Sequence, residues 1–576
     1  MAFHLTIFIH SSLAERVKDF YLKEDTVHIQ HSDEWHTFVI SNSVDTVKRE
    51  AVVADRGSTE ASIFGGFAID YAANRLIFPG APVEHLPKVN DPIDGSYFRA
   101  ESSANGFSCS SDVMGYDPLL WTDDPNMLAV SDSLLSLVTL RRRLNLPVTP
   151  NHGMLVARQW MNAMGSAQLN HETICNEVNF VTPRSTVSFS VPNRRAEVDY
   201  GNLSSFLPED NTSHSELVRT SAIRTAQLIS SLAAADANIL LAMSGGLDSR
   251  LCLGAAFATG TVDALNIGTQ NNGSPDYDIA LSLADRFGFE LNPKRPEFQG
   301  SLSPVDELAT WATTSLGIYD QMYAPNHFRV LEKPTFSIGG QGAEAVKGNF
   351  GWRPLAEIEM PREALVQAAV AVSRLGIDPA DEFGSEWHYL AFRNGLHASR
   401  ALLFSDYCVR PTAQLPAIGL SRSKLNELDN RSSKQYSAIS DALVLLSPEL
   451  AQFPYDKSIK NISEATANAR LQRLGGVITR DEIVDMAVSG TPAASKGVTQ
   501  SLVNDAVSLG ITGRPDAANL TVVLDNLGFD MSNFEGTPLA SAWSEAKDSS
   551  APRLPSTGRP ATAAGKILAN LLVSRT

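Results

Sequence analysis

The stretch Ile239-Leu-Leu-Ala-Met-Ser244-Gly245-Gly246-Leu247-Asp248-Ser249-Arg250 decides the fold of this chain. Ala237 to Met243 is a short apolar run of the kind that forms a buried parallel strand, and Leu247, Leu251, Leu253 and Ala255 continue at a spacing suited to a packed helix. Ser244-Gly245-Gly246 is the corner between them. Two residues without Cβ let the backbone approach a ligand closely, and amide N–H groups at a helix start suit a phosphate chain. Ser244 and Ser249 add hydroxyls to that site. Asp248 falls beside the phosphates, where a carboxylate is repelled unless a cation intervenes, so it implies Mg²⁺.

The corner has no Gly-x-x-x-x-Gly-Lys-Ser/Thr pattern and no lysine, which excludes a Walker A loop. A bare Gly-Gly turn would be an ordinary strand-to-helix corner. The full six residues Ser244 to Ser249, in a strand, turn and helix context, resemble the Ser-Gly-Gly-x-Asp-Ser loop of the ATP pyrophosphatases, enzymes that cleave ATP between the α and β phosphates.

Outward from the loop, Glu216–Ala235 reads as the preceding helix and Val262–Gly268 as a second parallel strand. Strand, helix, strand implies a crossover within a doubly wound parallel sheet, with ligands at the carboxyl ends of the strands. That places backbone groups of Ile267 and Gly268 where they could read adenine. Gly273-Ser274-Pro275-Asp276-Tyr277-Asp278 follows, and then a helix over Ile279–Phe287. It resembles the element after the second strand of asparagine synthetases, although an N-cap with acidic first-turn residues explains the same letters.

Phe336-Ser-Ile338-Gly339-Gly340-Gln341-Gly342-Ala343-Glu344 is again a strand followed by a glycine turn. It resembles the Ser-Gly-Glu-Gly-Ser-Asp turn of asparagine synthetases and the Gly-Tyr-Gly-Ser-Asp turn of β-lactam synthetase. By that resemblance Gly339 and Gly340 belong to the nucleotide site, Glu344 falls on the second magnesium carboxylate, and Gln341 falls on the Glu or Tyr of the second half-reaction. Glu for Asp keeps a hard oxygen ligand on a longer arm. Gln removes a titratable group from the step that activates the nucleophile. Of the lysines that follow, Lys347, Lys457, Lys460 and Lys496, the resemblance points to Lys496 as the cation over the reacting acyl-adenylate.

The first 130 residues carry closely spaced strand-like pieces, Leu5–Ile9, Thr37–Ile40, Gly66–Ile69, Ser96–Ala100, Gly106–Ser110 and Met127–Val130, separated by turn formers. Asp94 to Phe98, Asp112 to Trp121 and Leu128 to Asp132 resemble the glutaminase domain of glutamine-dependent asparagine synthetases. The family's N-terminal nucleophile is a cysteine at position 2. Here it is Ala2, and no thiol occurs in the first hundred residues, so glutamine hydrolysis is not expected. β-Lactam synthetase and the lasso peptide cyclases keep such a domain as a remnant.

The expected fold is therefore α/β: an N-terminal layered β-rich domain resembling Ntn hydrolases over residues 1–200, and a linker over 201–215. A doubly wound ATP pyrophosphatase-like domain follows over 216–545. It is mainly helical beyond 360, at Pro361–Leu375, Glu386–Phe404, Leu425–Ser447 and Ile462–Leu474. The C-terminal segment 546–576 reads as flexible through Ala564, with a short helix at Lys566–Val573.

Composition narrows the partners. A formal charge of −17 argues against nucleic acid, and the Arg141-Arg142-Arg143 run is a helix end. Four separated cysteines offer no zinc spacing and suit a reducing, cytoplasmic compartment. The N-terminus lacks the pattern of a signal peptide, and no apolar run is long enough to span a membrane.

What the asparagine synthetase resemblance implies is a C–N ligase, with ATP and Mg²⁺ as cofactors, that activates a carboxylate as acyl-adenylate for attack by an amine. Its substrates are small-molecule or peptide carboxylates and amines, and self-association into a homo-oligomer is left open. Two alternatives remain, an ammonia-dependent asparagine synthetase and a nucleotide-binding pseudoenzyme or scaffold. Thiolases of tRNA share the loop but usually need reactive cysteines and a basic surface. GMP and NAD synthetases share it too; the degenerate N-terminal domain ahead of the loop favours the asparagine synthetase arrangement.

Overall fold

A computed structural model of the chain describes residues 4–21, 26–41, 43–45, 52–54, 60–209, 211–271, 273–293, 300–301, 304–320, 329–330, 333–400, 406–423, 438–508, 531–548 and 559–574. Ala2 lies outside them, as does the 424–437 part of the expected Leu425–Ser447 helix, of which Ala438–Leu446 is helical.

The parallel sheet is built from four strands. They are β1 (Asn238–Ala242), β2 (Asn266–Gly268), β3 (Thr335–Ile338) and β4 (Tyr407–Val409), in the order β2-β1-β3-β4. All three pairings are parallel, with Leu241 opposite Ile267 and Ile338, and Ile338 opposite Val409. The chain leaves β1 through helix α1 (Leu247–Thr259) for β2 on one side, passes through helix α2 (Pro275–Phe287), and returns to β3 on the other side. The order of connection thus reverses between β1 and β3, and the carboxyl ends there flank a crevice where open α/β sheets bind ligands. The expected Val262–Gly268 strand is shorter than its apolar content suggested, because Val262–Ala264 turns as a 3-10 helix.

Residues 4–199 form two antiparallel sheets. One has six strands, in order Asn179–Val181, Leu119–Asp124, Met127–Ser131, His4–His10, Trp35–Ser41 and Thr26–Gln30. The other is larger and contains Ala61–Asp70, Asp94–Ser103, Gly106–Ser111 and Thr186–Ser190. The inward residues Phe8, Trp35, Phe98, Phe107, Leu128 and Phe189 fill the layer between the sheets, with the Phe8 and Trp35 rings stacked at 4.8 Å. Burying six such side chains is the main reason the layers stay closed.

Farther along Ala61–Asp70 the same face of the larger sheet meets the parallel sheet. Phe67 and Phe78 present ring edges to Phe336 of β3 and Tyr407 of β4, which stack on each other at 4.7 Å. Later chain returns to the same layers: Ala487–Ser489 adds to the larger sheet parallel to Arg75–Ile77, and Ser495–Val498 pairs with Ser43–Asp45. The segment after Tyr200 is seated rather than free, with Leu203 and Phe206 buried. The final helix runs Arg559–Ser574, starting before the expected Lys566 because Pro560 lies in its first turn, where no amide is needed. Among the described residues no helix is long and apolar enough to cross a membrane.

Candidate functional site

The two glycine turns meet at the crevice between β1 and β3. At Gly340 a Cβ would stand 2.7 Å from the Cβ of Asp248, so only a glycine lets the second turn lie against the first turn of α1. Gly342 adopts φ +91°, a left-handed conformation, and its amide donates to Glu344 Oε2 at 3.0 Å. The turn is backed by Tyr116 of the β-rich part and by Arg410 after β4: a Cβ at Gly342 would lie 3.1 Å from the Tyr116 hydroxyl and 3.3 Å from Arg410 Cβ. Tyr116 belongs to the Asp112–Asp117 loop, in which Asp112 accepts the amides of Met114, Tyr116 and Asp117 at 3.0, 3.0 and 2.7 Å. Burial nevertheless pushes the Asp112 carboxyl up to about 6, against those hydrogen bonds.

The corner amides do not all face outward. Ser244 N–H donates to Ser249 Oγ at 3.1 Å, Gly246 N–H to Ser244 Oγ at 3.2 Å, and Gly245 N–H to Asp276 Oδ1 at 2.7 Å. Asp276 is in the first turn of α2, and Ser274 at its N-cap makes no side-chain capping bond, so the carboxylate is turned to the glycine corner rather than to its own helix. An anion at this edge would meet the first-turn amides and positive dipole end of α1, the two serine hydroxyls and nearby ammonium groups.

Two lysines flank the corner. Lys347, at the end of the short helix α3 (Glu344–Lys347), places its ammonium directly on Asp248 Oδ2. Asp248 Oδ1 is buried without a hydrogen-bond partner. Burial holds the Asp248 carboxyl above its ordinary range; Lys347 opposes that shift and Glu344 adds to it. Lys460 pairs with Asp456 at 2.7 Å, and the Asp456 amide donates to Gly245 O at 3.3 Å. Arg250 fixes this segment. It is fully buried, donates to the carbonyls of Phe453 at 2.6 Å and Pro454 at 2.9 Å, and lies 3.7 Å over the Tyr455 ring.

The donor set suits a phosphate-bound divalent cation in part. Asp248 Oδ1 is an orphaned hard oxygen, and Glu344 lies close enough to act electrostatically on Asp248. No group of three or more potential ligands forms among the described residues. Mg²⁺ bound with a polyphosphate commonly takes only one or two protein carboxylates, so the two present fit it.

Of the residues expected from sequence, Ser244, Gly245, Gly246, Asp248, Ser249, Gly339, Gly340, Gln341 and Glu344 all belong to these two turns. The Gln341 side chain folds back over Gly339, with Oε1 buried and unpartnered. Ile267 and Gly268 flank β1 as expected, yet their carbonyls already accept the amides of Asn292 and Met243, each at 2.8 Å. The backbone of Lys496 lies in the Ser495–Val498 strand, and its side chain is outside the described residues. Asp276, Lys347, Asp456 and Arg250 were not assigned from sequence. Asp276, in the Ser-Pro-Asp helix start, and Lys347, among the lysines after the second turn, carried a signal.

No protein-family model matches the chain, and no curated protein matches it in sequence. Among solved structures it is similar to the glutamine phosphoribosylpyrophosphate amidotransferase from B. subtilis complexed with ADP and GMP, at 8% identity, covering 71% of this chain and 100% of that one, with a TM-score of 0.22. A likeness that slight carries no argument about fold or activity.

Proposed function

We propose that the chain is an ATP-dependent, AMP-forming amide-bond ligase of the asparagine synthetase type, with an inactive Ntn-like β domain and a doubly wound ATP pyrophosphatase-like domain. One observation carries the reading: the Ser-Gly-Gly-x-Asp-Ser corner and the Gly339–Gly342 turn converge at the switch point of a parallel sheet, with Gly340 pressed onto Asp248. A carboxylate is a poor electrophile until its oxygen becomes a good leaving group. In the proposed reaction a substrate carboxylate oxygen attacks the α-phosphorus of ATP and pyrophosphate departs. An amine nitrogen then attacks the acyl carbon, AMP departs and the amine loses a proton.

The protein's part is binding and charge. The α1 N-terminus, Ser244 and Ser249 orient the phosphate chain, and Asp248 with Glu344 would hold Mg²⁺, whose chemistry is to neutralise the departing pyrophosphate. Lys496 is proposed to stand over the adenylate. Gln341 cannot take a proton, so the amine arrives neutral or loses its proton to another group. The test is product analysis: AMP and pyrophosphate should form in equal amounts from ATP only when a carboxylate and an amine are both supplied, with ADP absent.

A second reading, the nucleotide-binding pseudoenzyme, is favoured by the prior engagement of the Gly245 amide by Asp276 and of Asp248 by Lys347. It predicts ATP binding without turnover.

A further inference from the structure

The Lys347–Asp248 pair is the least expected feature of the edge. An aspartate beside a phosphate chain needs a cation, and here one is already supplied by the chain itself. We propose that Lys347 is an oligophosphate-binding residue, a built-in cation lying between Asp248 and the phosphate chain, so that part of the neutralisation normally left to a metal ion comes from the protein. The inference rests on the phosphate-site reading above.

Both partners are fixed. Gly340 presses on Asp248 from the side of β3. The Lys347 amide donates to Ala343 O at 2.9 Å, and its carbonyl accepts the Trp352 indole N–H at 3.0 Å, which anchors the backbone from which the side chain extends. The pair is nevertheless open, with 35% of the Lys347 side chain and 21% of the Asp248 side chain exposed. A structural ion pair sealed in a core would leave the ammonium no room for a ligand; this one retains donors for phosphate oxygens, because an ammonium has three hydrogens and Asp248 Oδ2 takes one. The Lys460–Asp456 pair lies beside the same glycine corner, where the Asp456 amide donates to Gly245 O at 3.3 Å and the Lys460 charge acts on Asp248. An oligophosphate at this corner would meet two ammonium groups, and neither aspartate would face it uncompensated.

The consequence is oligophosphate binding that does not wholly depend on a divalent ion. Calorimetric titration of the full-length protein with inorganic pyrophosphate in EDTA reads this directly, beside titration with ATP and Mg²⁺. Wild type should bind pyrophosphate in EDTA. Lys347→Met should bind it at least about tenfold more weakly, the scale of one lost hydrogen bond to a charged group, while Lys347→Arg stays within about threefold. Thermal melts establish that each variant is folded, and Lys347→Gln replaces the Met variant if that one is not. Equal pyrophosphate affinity in wild type and the folded Met or Gln variant overturns the inference alone. So does a wild type that binds ATP with Mg²⁺ but no pyrophosphate in EDTA. A wild type that binds neither ligand overturns the phosphate-site reading as well.

Discussion

Asp276 Oδ1 accepts the amide hydrogen of Gly245 at 2.7 Å, so a carboxylate from the helix after β2 occupies one of the donors that the glycine corner would offer to a phosphate. The contact both shapes the corner and adds negative charge to it. Asp276→Asn keeps an oxygen for the Gly245 amide while removing the charge. ATP binding in the absence of Mg²⁺ should tighten by roughly tenfold, equivalent to about 1.4 kcal/mol of relieved repulsion. Weaker binding in the variant, measured by calorimetry, would show that the charge of Asp276 assists the ligand.

Asp248→Asn separates the metal-facing role of that residue from its role in the fold. The amide fills the same space beside Gly340 and loses the negative charge that pairs with Lys347 and would hold Mg²⁺. Pyrophosphate formation should fall by at least roughly 10²-fold, the scale for one key electrostatic contact, with the melting temperature little changed. Unaltered turnover would remove Asp248 from the site.

Arg250 shows why the loop motif was readable and its support was not. Ser244 to Ser249 announce themselves because glycines and hydroxyls in that order serve few other ends. The next residue, Arg250, drew no assignment from sequence, yet it is buried and holds the Phe453–Tyr455 segment through backbone carbonyls some two hundred positions away. No local spacing encodes such a contact. The strands of the β-rich part were legible by alternation, as in Leu5–Ile9 and Ser96–Ala100. The 119–124 strand was seen only as part of a motif, and Thr26–Gln30 was missed because its strand signal is diluted by polar residues. Lys347 stood in view beside the glycine turn, but which lysine reaches Asp248 depends on the pairing of β1 with β3, a tertiary fact.

Replacing Arg250 by Ala should therefore cost about 3 kcal/mol or more, because the Phe453 and Pro454 carbonyls lose buried donors. Urea denaturation measures the loss. ATP affinity should fall with it at temperatures where the variant is still folded, since the Asp456–Lys460 pair is carried by the released segment. Wild-type stability would contradict the anchoring role.

Asp94 gives a pH signature. Burial lifts its carboxyl from the usual 3.8 to about 7, opposed by Arg224 and reinforced by Asp112. Between about pH 4 and 7 the folded protein thus keeps a proton that the unfolded chain has released. This group then makes stability fall as pH rises through that window, by at most about 1.4 kcal/mol per pH unit, and adds no slope above it. Asp94→Asn removes that slope. The melting temperature of the variant minus that of wild type should grow from pH 5 to 7 and level off beyond; parallel melting curves across this range would contradict it.

The central claim is that this edge of the parallel sheet activates carboxylates, and exchange of labelled pyrophosphate into ATP tests it most directly, with Mg²⁺ and a panel of carboxylates. Adenylation needs no base, because the carboxylate already carries the attacking charge. Exchange should therefore appear with at least one carboxylate, vanish without it, and be unchanged in Gln341→Glu, where only the later amide-forming step would quicken. Tight ATP binding with no exchange, for a carboxylate independently shown to bind, would contradict the ligase account and leave the pseudoenzyme in its place.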